Sequence, residues 1–282
     1  MLYINDTIIT TSRFPDGTLH IELPDRLTIK ELYESKHFTI TWRYTDDREL
    51  FQLICLTRKM QEMGYTVSLY MPYIPNARMD RVKEETEIFT LKYFAEIINS
   101  LNFEKVTVLD AHSNVSLALI DRIECLSPCS LIQKTLNTLD KGSNLIMFFP
   151  DEGAMKRYSG IAKTFHTPYA FGIKKRDWKT GTIQGLDLAG ATELLNGRDV
   201  LIVDDICSRG GTFYHSAKAL KAAGANGIYL CVSHCEETIL QGELITSGLV
   251  KQVFTTDSIL SEKRDTNPVI TCYPLSRLYY II

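Results

Sequence analysis

The sequence lacks a long hydrophobic run: no apolar stretch approaches the ~18 residues that a membrane-spanning helix needs. It also lacks a leader pattern, because polar residues interrupt the opening MLYINDTIITTSRFPDG too soon for a signal peptide. Both absences argue against a membrane protein and against a secreted one. We therefore expect a cytoplasmic protein without a membrane partner.

An excess of charge of either sign is absent as well. The 282 residues include 31 Lys and Arg and 34 Asp and Glu, which gives a net charge of -3 at pH 7. This balance gives no electrostatic reason to expect a nucleic-acid partner. Apolar residues at 45% and charged residues at 23% are the proportions of a globular protein of one or two domains.

Cysteine pairs with the CxxC spacing of zinc knuckles are missing, although the chain has seven cysteines. Cys231 and Cys235 flank His234 in CVSHC, and Cys125 and Cys129 end the segment CLSPC. In a cytoplasmic protein such residues are expected to be reduced thiols. We interpret them as small buried hydrophobic residues at strand ends rather than zinc ligands.

Short apolar runs alternate with helical patterns along the chain. They predict strands at 38–44, 66–74, 105–113, 143–151, 199–206 and 227–234, and helices at 48–64, 90–102, 155–164 and 212–223. This alternation predicts an α/β fold with parallel sheets flanked by helices. Ligands bind such sheets at the carboxyl ends of the strands, so functional residues are expected there.

Two segments repeat one pattern of strand, acid, polar turn and helix: EKVTVLDAHSNVSLALI and RDVLIVDDICSRGGTFYHSAKAL. Two similar α/β domains, residues 1–136 and 137–282, would explain the repetition. A chance likeness between two ordinary parallel sheets is the alternative.

Asp204 and Asp205 are adjacent at the end of an apolar run. Like charges in contact disfavour each other's ionised form, so a cation or hydroxyl donors should face them. The next residues, CSRGGT, place two glycines and a hydroxyl before a helix, where backbone N–H groups can bind phosphate. No GK[ST] follows, which excludes a Walker loop. Acids followed by a phosphate loop suit a ribose 5-phosphate group.

The segment VLIVDDICSRGGT resembles the phosphoribosyl-binding signature of the type I phosphoribosyltransferase fold. Further segments resemble, in the same order, motifs of the ribose-phosphate diphosphokinases, also called phosphoribosyl pyrophosphate synthetases: RFPDG (13–17), PYIPNARMDR (72–81), LDAHS (109–113), PDEGAMKR (150–157) and IKKRD (173–177). The chain resembles a divergent, short member of this family. The resemblance implies two phosphoribosyltransferase-like domains, the first binding ATP and the second binding ribose phosphate.

The implied activity is Mg²⁺-dependent transfer of the diphosphate of ATP to the 1-hydroxyl of ribose 5-phosphate, which yields phosphoribosyl pyrophosphate and AMP. The resemblance also implies a homo-oligomer, either a dimer or a hexamer. His112 and Asp151 match the family's metal-binding pair. The residues implied to bind ATP are Phe14, Asp16, Arg78, Asp80, Arg81 and His112.

Lys174 and Arg176 match the catalytic pair on the family's mobile loop, where cations offset charge on the transferred group and on the departing AMP. Asp204 and Asp205 are implied to accept hydrogen bonds from ribose hydroxyls, or to reach them through a second Mg²⁺. The implied phosphate loop consists of Ser208, Arg209, Gly210, Gly211 and Thr212.

Simpler interpretations exist for several of these residues. His112 can be an ordinary core histidine, and Asp151 can cap the helix that follows it. PDG can be a plain hairpin turn. Arg78, Arg81 and the basic segment KKRDWKTG can be solvated surface.

The chain departs from the family pattern at several places. Thr18 stands where the family has the glutamate of FSDGE, and Met79 where it has the glutamine of ARQD, so some adenine contacts are expected to be lost or rebuilt. RVKEETEIF follows Asp80 where the family has a basic stretch. This weakens the expectation of control by phosphate or ADP, and of the usual hexamer.

The phosphate loop also departs, because SRGGT replaces the family's DTGGT and adds Arg209. An added arginine suits an acceptor with a diphosphate at its 5′ end, such as ADP-ribose. A divergent branch of the family in bacterial viruses is thought to use ADP-ribose in rebuilding NAD. Alternatively, Arg209 points into solvent or pairs with a carboxylate.

Two further alternatives stay open. A non-catalytic regulatory member would not need His112, Asp151, Lys174 and Arg176. An ordinary phosphoribosyltransferase would not need the separate ATP motifs or the doubled length.

Overall fold

A computed structural model describes residues 1–5, 7–23, 36–139, 142–176, 183–260 and 267–279. The chain forms two compact units, Met1–Ser127 and Pro128–Ile282. The repeated sequence pattern predicts a boundary near residue 136, whereas the units divide after Ser127. The reason is that Leu131 and Ile132 are buried in the core of the second unit.

The first unit contains one mainly parallel sheet. Its elements are β1 (Leu2–Ile4), β2 (Thr7–Ile8), β3 (Thr11–Arg13), β4 (Leu19–Ile21), β5 (His37–Trp42), α1 (Arg48–Glu62), β6 (Thr66–Tyr70), α2 (Thr90–Ser100), β7 (Val106–Leu109), α3 (Asn114–Leu119) and β8 (Ile123–Leu126). The sheet order is β2-β1-β5-β6-β7-β8, with β5 to β8 parallel. β3 and β4 form a separate antiparallel hairpin.

Burial follows the expected periodicities in this unit. Phe38, Ile40 and Trp42 alternate along β5 and are buried, as side chains on one face of a strand should be. Leu53 and Met60 line the inner face of α1 and belong to the same core.

The second unit contains a longer sheet. Its elements are α4 (Cys129–Leu139), β9 (Leu145–Phe149), α5 (Glu152–Thr164), β10 (Tyr169–Arg176), β11 (Ile183–Gly190), β12 (Asp199–Cys207), α6 (Gly211–Ala222), β13 (Ile228–Cys235), α7 (Glu243–Thr246), β14 (Gln252–Thr256), β15 (Ile270–Tyr273) and α8 (Leu275–Leu278). The sheet order is β11-β10-β9-β12-β13-β14-β15, and only β11 runs antiparallel to its neighbour. The predicted α/β fold with parallel sheets is confirmed.

Both faces of the second sheet are covered. Phe148 and Ile202 face a core that α6 completes, whereas Met147, Phe149 and Leu201 face one that α4 and α5 complete. This explains why the strands read as continuous apolar runs rather than as alternating ones.

The strands that follow β9 in the chain lie on both sides of it in the sheet. It passes through α5 to β10 on one side, and β12 pairs with β9 on the other. Parallel sheets bind ligands at such a switch point, beyond the carboxyl ends of the strands. The residues that follow β9 and β12 are therefore placed for ligand binding.

In the described residues, no helix is both long and apolar enough to cross a membrane.

Candidate active site

The adjacent acids at the end of β12 have a cationic partner within the chain. Arg157 on α5 donates from Nη2 to Asp204 Oδ1 at 2.9 Å and to Asp205 Oδ1 at 2.7 Å. Its guanidinium carbon lies 5.0 Å from the ring centroid of buried Tyr158. One arginine thus supplies the positive charge that two neighbouring carboxylates require.

The electrostatics of the acids explain why this partner matters. Burial, followed by the negative charge of Asp205, raises the pKa of Asp204 well above its ordinary value. Arg157 opposes both effects and favours the ionised form. The pKa of Asp204 nevertheless stays raised, so hydroxyl donors or a further cation at the site would favour its ionised form.

Arg157 was missed as a site residue by the sequence analysis, although PDEGAMKR contains it. The available signal was the acid pair, which required a cation. Nothing in the spacing showed that Arg157 would supply it, because the pair forms only when α5 packs beside β12.

The predicted phosphate loop joins β12 to α6. Gly210 has a left-handed backbone, with φ of 78°, which glycine adopts without strain. Gly211 and Thr212 are exposed in the first turn of α6, and Ser208 is half-buried. The backbone N–H groups at this helix start can bind an anion.

The segment from Glu236 to Leu244 packs against the backbone of this loop. A Cβ on Gly242 would lie 1.9 Å from the carbonyl oxygen of Arg209, and one on Gly210 would lie 2.7 Å from Leu244 Cδ2. The backbone N–H of Glu236 donates to the carbonyl of Cys207 at 2.8 Å. The loop backbone is therefore closely packed while the Arg209 side chain is exposed.

Asp151 stands between β9 and α5 and caps the helix. Its Oδ1 accepts a hydrogen bond from the backbone N–H of Ala154 at 3.0 Å. The simpler interpretation of this residue as a helix cap is therefore correct. The cap also fixes one carboxylate beyond the carboxyl end of β9, and its charge acts on Asp204.

In the first unit, the predicted ATP residues meet beyond the ends of β6 and β7. Arg81 Nε donates to Asp80 Oδ1 at 2.8 Å, and Asp80 is buried while the Arg81 side chain is exposed. Arg81 is the main cause that lowers the pKa of Asp80, and the nearby Ser113 hydroxyl and His112 lower it further. The structure thus brings Asp80, Arg81 and His112 together; Arg78 is exposed on the same loop.

Phe14 and Asp16 lie in the turn between β3 and β4. Asp16 Oδ1 accepts from the backbone N–H of Thr18 at 2.9 Å and from its hydroxyl at 2.7 Å, which lowers the pKa of Asp16. Gly17 has φ of 85°, so PDG does form a hairpin turn. Phe14 is 52% exposed and packs edge-on against His20.

Lys174 and Arg176 lie in β10, not in a loop as the sequence analysis expected. β10 and β11 form an antiparallel pair whose backbone register places Lys174 opposite Leu186 and Arg176 opposite Ile183. The side chains of Lys174 and Arg176, and residues 177–182 between the strands, lie outside the described residues.

The cysteines are free thiols, of which Cys207, Cys231 and Cys235 are buried and Cys125 is exposed.

Across the described ranges, no three His, Cys, Asp or Glu side chains group as a metal site. The predicted metal pair is divided between the units, with His112 in the first and Asp151 in the second.

Comparisons with known proteins agree with this geometry. A model of the phosphoribosyl transferase domain matches residues 129–260. The chain is 27% identical over 253 residues to a ribose-phosphate pyrophosphokinase of Sulfurisphaera tokodaii, covering 87% of this chain and 82% of that protein. It is 25% identical over 223 residues to the protein of the same name from Saccharolobus solfataricus, covering 78% of this chain and 74% of that protein.

Among solved structures, the phosphoribosylpyrophosphate synthetase of Mycobacterium smegmatis has the same fold. The TM-score is 0.75 at 15% identity, covering 96% of this chain and 87% of that one. The likeness extends over both units and fits two phosphoribosyltransferase-like domains.

Proposed function

Because the chain belongs to the phosphoribosyl pyrophosphate synthetase family and is a diphosphotransferase of that type, we propose that it transfers the diphosphate of ATP to the 1-hydroxyl of ribose 5-phosphate. The products are phosphoribosyl pyrophosphate and AMP. The reaction serves nucleotide biosynthesis.

The observation that carries this proposal is the order of groups at the end of β12. Two carboxylates held by Arg157 come first, and a closely packed phosphate loop follows. A sugar with two free hydroxyls and a 5-phosphate presents the complementary groups in the same order. Hydroxyls donate to the carboxylates, and phosphate accepts from the N–H groups at the start of α6.

Residues of the first unit are proposed to bind ATP. Arg78 and Arg81 supply cations for the triphosphate, and Asp80 fixes the Arg81 side chain. Phe14 offers an exposed aromatic face for adenine, and the exposed hairpin is suited to a neighbouring copy of the chain in a homo-oligomer.

Mg²⁺ is proposed as the cofactor. Mg²⁺ needs only one or two protein ligands in nucleotide sites, because phosphate oxygens and water complete its shell. Asp151, fixed by its own helix beyond β9, fits this requirement, and His112 is the proposed second ligand. When bound, Mg²⁺ would offset phosphate charge.

Lys174 and Arg176 are proposed to stabilise the negative charge that develops on the transferred diphosphate and on AMP. Diphosphoryl transfer depends on alignment and on cations rather than on a protein nucleophile. Their place at the end of a strand pair brings two positive charges to one short segment.

Product analysis tests the proposed reaction. ³¹P NMR of a mixture of the enzyme, ATP, Mg²⁺ and ribose 5-phosphate should show AMP together with a diphosphate on sugar carbon 1. Formation of ADP and a sugar monophosphate instead would mean that a single phosphoryl group is transferred, and the proposal would be wrong.

The same chemistry on ADP-ribose, giving ADP-ribose pyrophosphate for NAD synthesis, is a second candidate. The observation in its favour is Arg209, which is exposed on a fixed loop and has no ion pair with a described residue. An acceptor with two linked phosphates would use this additional cation.

A further inference from the structure

The two acids at the end of β12 are not equivalent in the structure. The Asp204 side chain is 15% exposed, whereas that of Asp205 is 3% exposed. Asp204 Oδ1 accepts from both Arg157 Nη2 and the backbone N–H of Asp205, at 2.9 and 3.0 Å. In the part of the chain that the structure describes, the N–H donors to this carboxylate all contact Oδ1, and the other group close enough to share a proton with it is the Asp205 carboxylate. One carboxylate oxygen is thus fixed and the other is available.

We propose that Arg157 is a positioning residue which, anchored by the buried carboxylate of Asp205, orients Asp204 so that its Oδ2 accepts a ring hydroxyl of the ribosyl acceptor. The inference rests on the proposed function, since a ribosyl acceptor supplies the hydroxyl. In this proposal Asp204 contacts the ligand through Oδ2, and Asp205 also anchors Arg157.

The arginine is suited to this task because it is itself held on several sides. Its side chain is 27% exposed and contacts both carboxylates through a single nitrogen. The ring of Tyr158, in the core between α5 and the sheet, lies against the guanidinium. A carboxylate held in one orientation before binding loses less side-chain freedom when the hydroxyl arrives.

Discrimination between ribose 5-phosphate and its 2-deoxy and 3-deoxy analogues tests the proposal. The wild-type chain should bind at least one deoxy analogue about 10- to 100-fold more weakly, because the oriented carboxylate then lacks its donor. Arg157→Met should reduce this ratio towards one. Arg157→Lys, which keeps the charge, should restore part of it, and Lys156→Met on the exposed face of the same helix should leave it unchanged.

A purely structural role of Arg157 predicts a different pattern. Affinity for all three sugars would then fall together, and the ratio would stay at the wild-type value. An unchanged ratio in Arg157→Met would overturn the proposal.

Arg157→Met leaves two acids without their cation and can unfold the chain. Asp204→Asn avoids this problem, because the pair of Arg157 and Asp205 remains. That variant should lose the discrimination against whichever deoxy sugar the wild-type chain binds more weakly. Full discrimination retained against that sugar would remove Asp204 from the hydroxyl contact and overturn the proposal.

Affinity is measured by calorimetry with Mg²⁺ and α,β-methylene-ATP, so that no turnover is needed. If ADP-ribose is the acceptor, its deoxy counterparts replace the sugar phosphates. A wild-type chain that releases no AMP would refute the proposed function, and the affinity ratios would still decide the role of Arg157. Equal wild-type affinity for all sugars would refute the role of Arg157 without affecting the transfer reaction.

Discussion

At the scale of the residue, the site depends on pairs that the sequence separates widely. Adjacent acids at a strand end predicted that a counter-charge must exist, and Arg157 is that charge. Its identity was not predictable, because it depends on how α5 lies across the sheet. Asp151 could be recognised as a helix cap from local sequence alone, since the hydrogen bond spans only three residues.

Lys174→Ala should lower kcat on the order of 100-fold or more while changing the KM for ATP little. The proposed ammonium interaction is with charge that develops in the transition state, so its loss appears in kcat. Steady-state kinetics at saturating acceptor provide the measurement. A raised KM with an unchanged kcat would make Lys174 a binding residue only.

Arg209→Thr should separate the two candidate acceptors. If ADP-ribose is the substrate, losing a charge-assisted contact of roughly 1.5–3 kcal/mol should lower kcat/KM by about ten- to a hundredfold. The same variant should barely affect ribose 5-phosphate. Equal losses on both acceptors would mean that Arg209 only shapes the loop.

At the scale of the element, the phosphate loop depends on the segment before α7. Gly242 has φ of -92° and ψ of 154°, a conformation that any residue can adopt. Glycine is required there by contact, because a Cβ would lie 1.9 Å from the Arg209 carbonyl oxygen. The sequence indicated the roles of Gly210 and Gly211 in the loop, but no sequence pattern indicated that Gly242 packs against it.

Gly242→Ala should displace the loop, raise the acceptor KM about tenfold and destabilise the chain by about 1–3 kcal/mol. Gly160→Ala is the matched control, since a Cβ at this helical position meets nothing within 4 Å. It should leave KM unchanged and stabilise the fold by about 0.5–1 kcal/mol. Kinetics and thermal unfolding of both variants check this, and an unaltered acceptor KM in Gly242→Ala would count against loop support.

Phe14→Ala tests the hairpin of β3 and β4. The ring is 52% exposed, so its removal should change the free energy of unfolding by less than about 0.5 kcal/mol. The KM for ATP should rise, because the proposed adenine contact is lost. If ATP kinetics are unaffected, the hairpin has no part in binding the nucleotide.

At the scale of the whole molecule, the sequence predicted the central parallel strands but not β8, β14 and β15. The runs at 38–44, 66–74 and 199–206 contain β5, β6 and β12 almost completely, because buried parallel strands are continuous apolar runs. The strands of the antiparallel pairs were not predicted, although PDG between β3 and β4 was considered as a hairpin turn. Thr11–Arg13 is wholly exposed, so it carries no apolar pattern. β10 and β11 were missed because basic residues at their junction are typical of a loop.

The boundary between the units was also difficult to predict from periodicity. α4 is an amphipathic helix whose apolar face could pack against the sheet of either unit. In the structure its Leu131 and Ile132 are buried with residues of β9 and β12. Only the contacts show which sheet it joins.

AMP release from ATP and Mg²⁺, measured separately with ribose 5-phosphate and with ADP-ribose, tests the central claim most directly. AMP should form in proportion to acceptor with at least one of the two, and Asp204→Asn should raise the KM for that acceptor. AMP from neither acceptor, under conditions in which the chain is folded, would contradict diphosphate transfer to a 5-phosphorylated ribose.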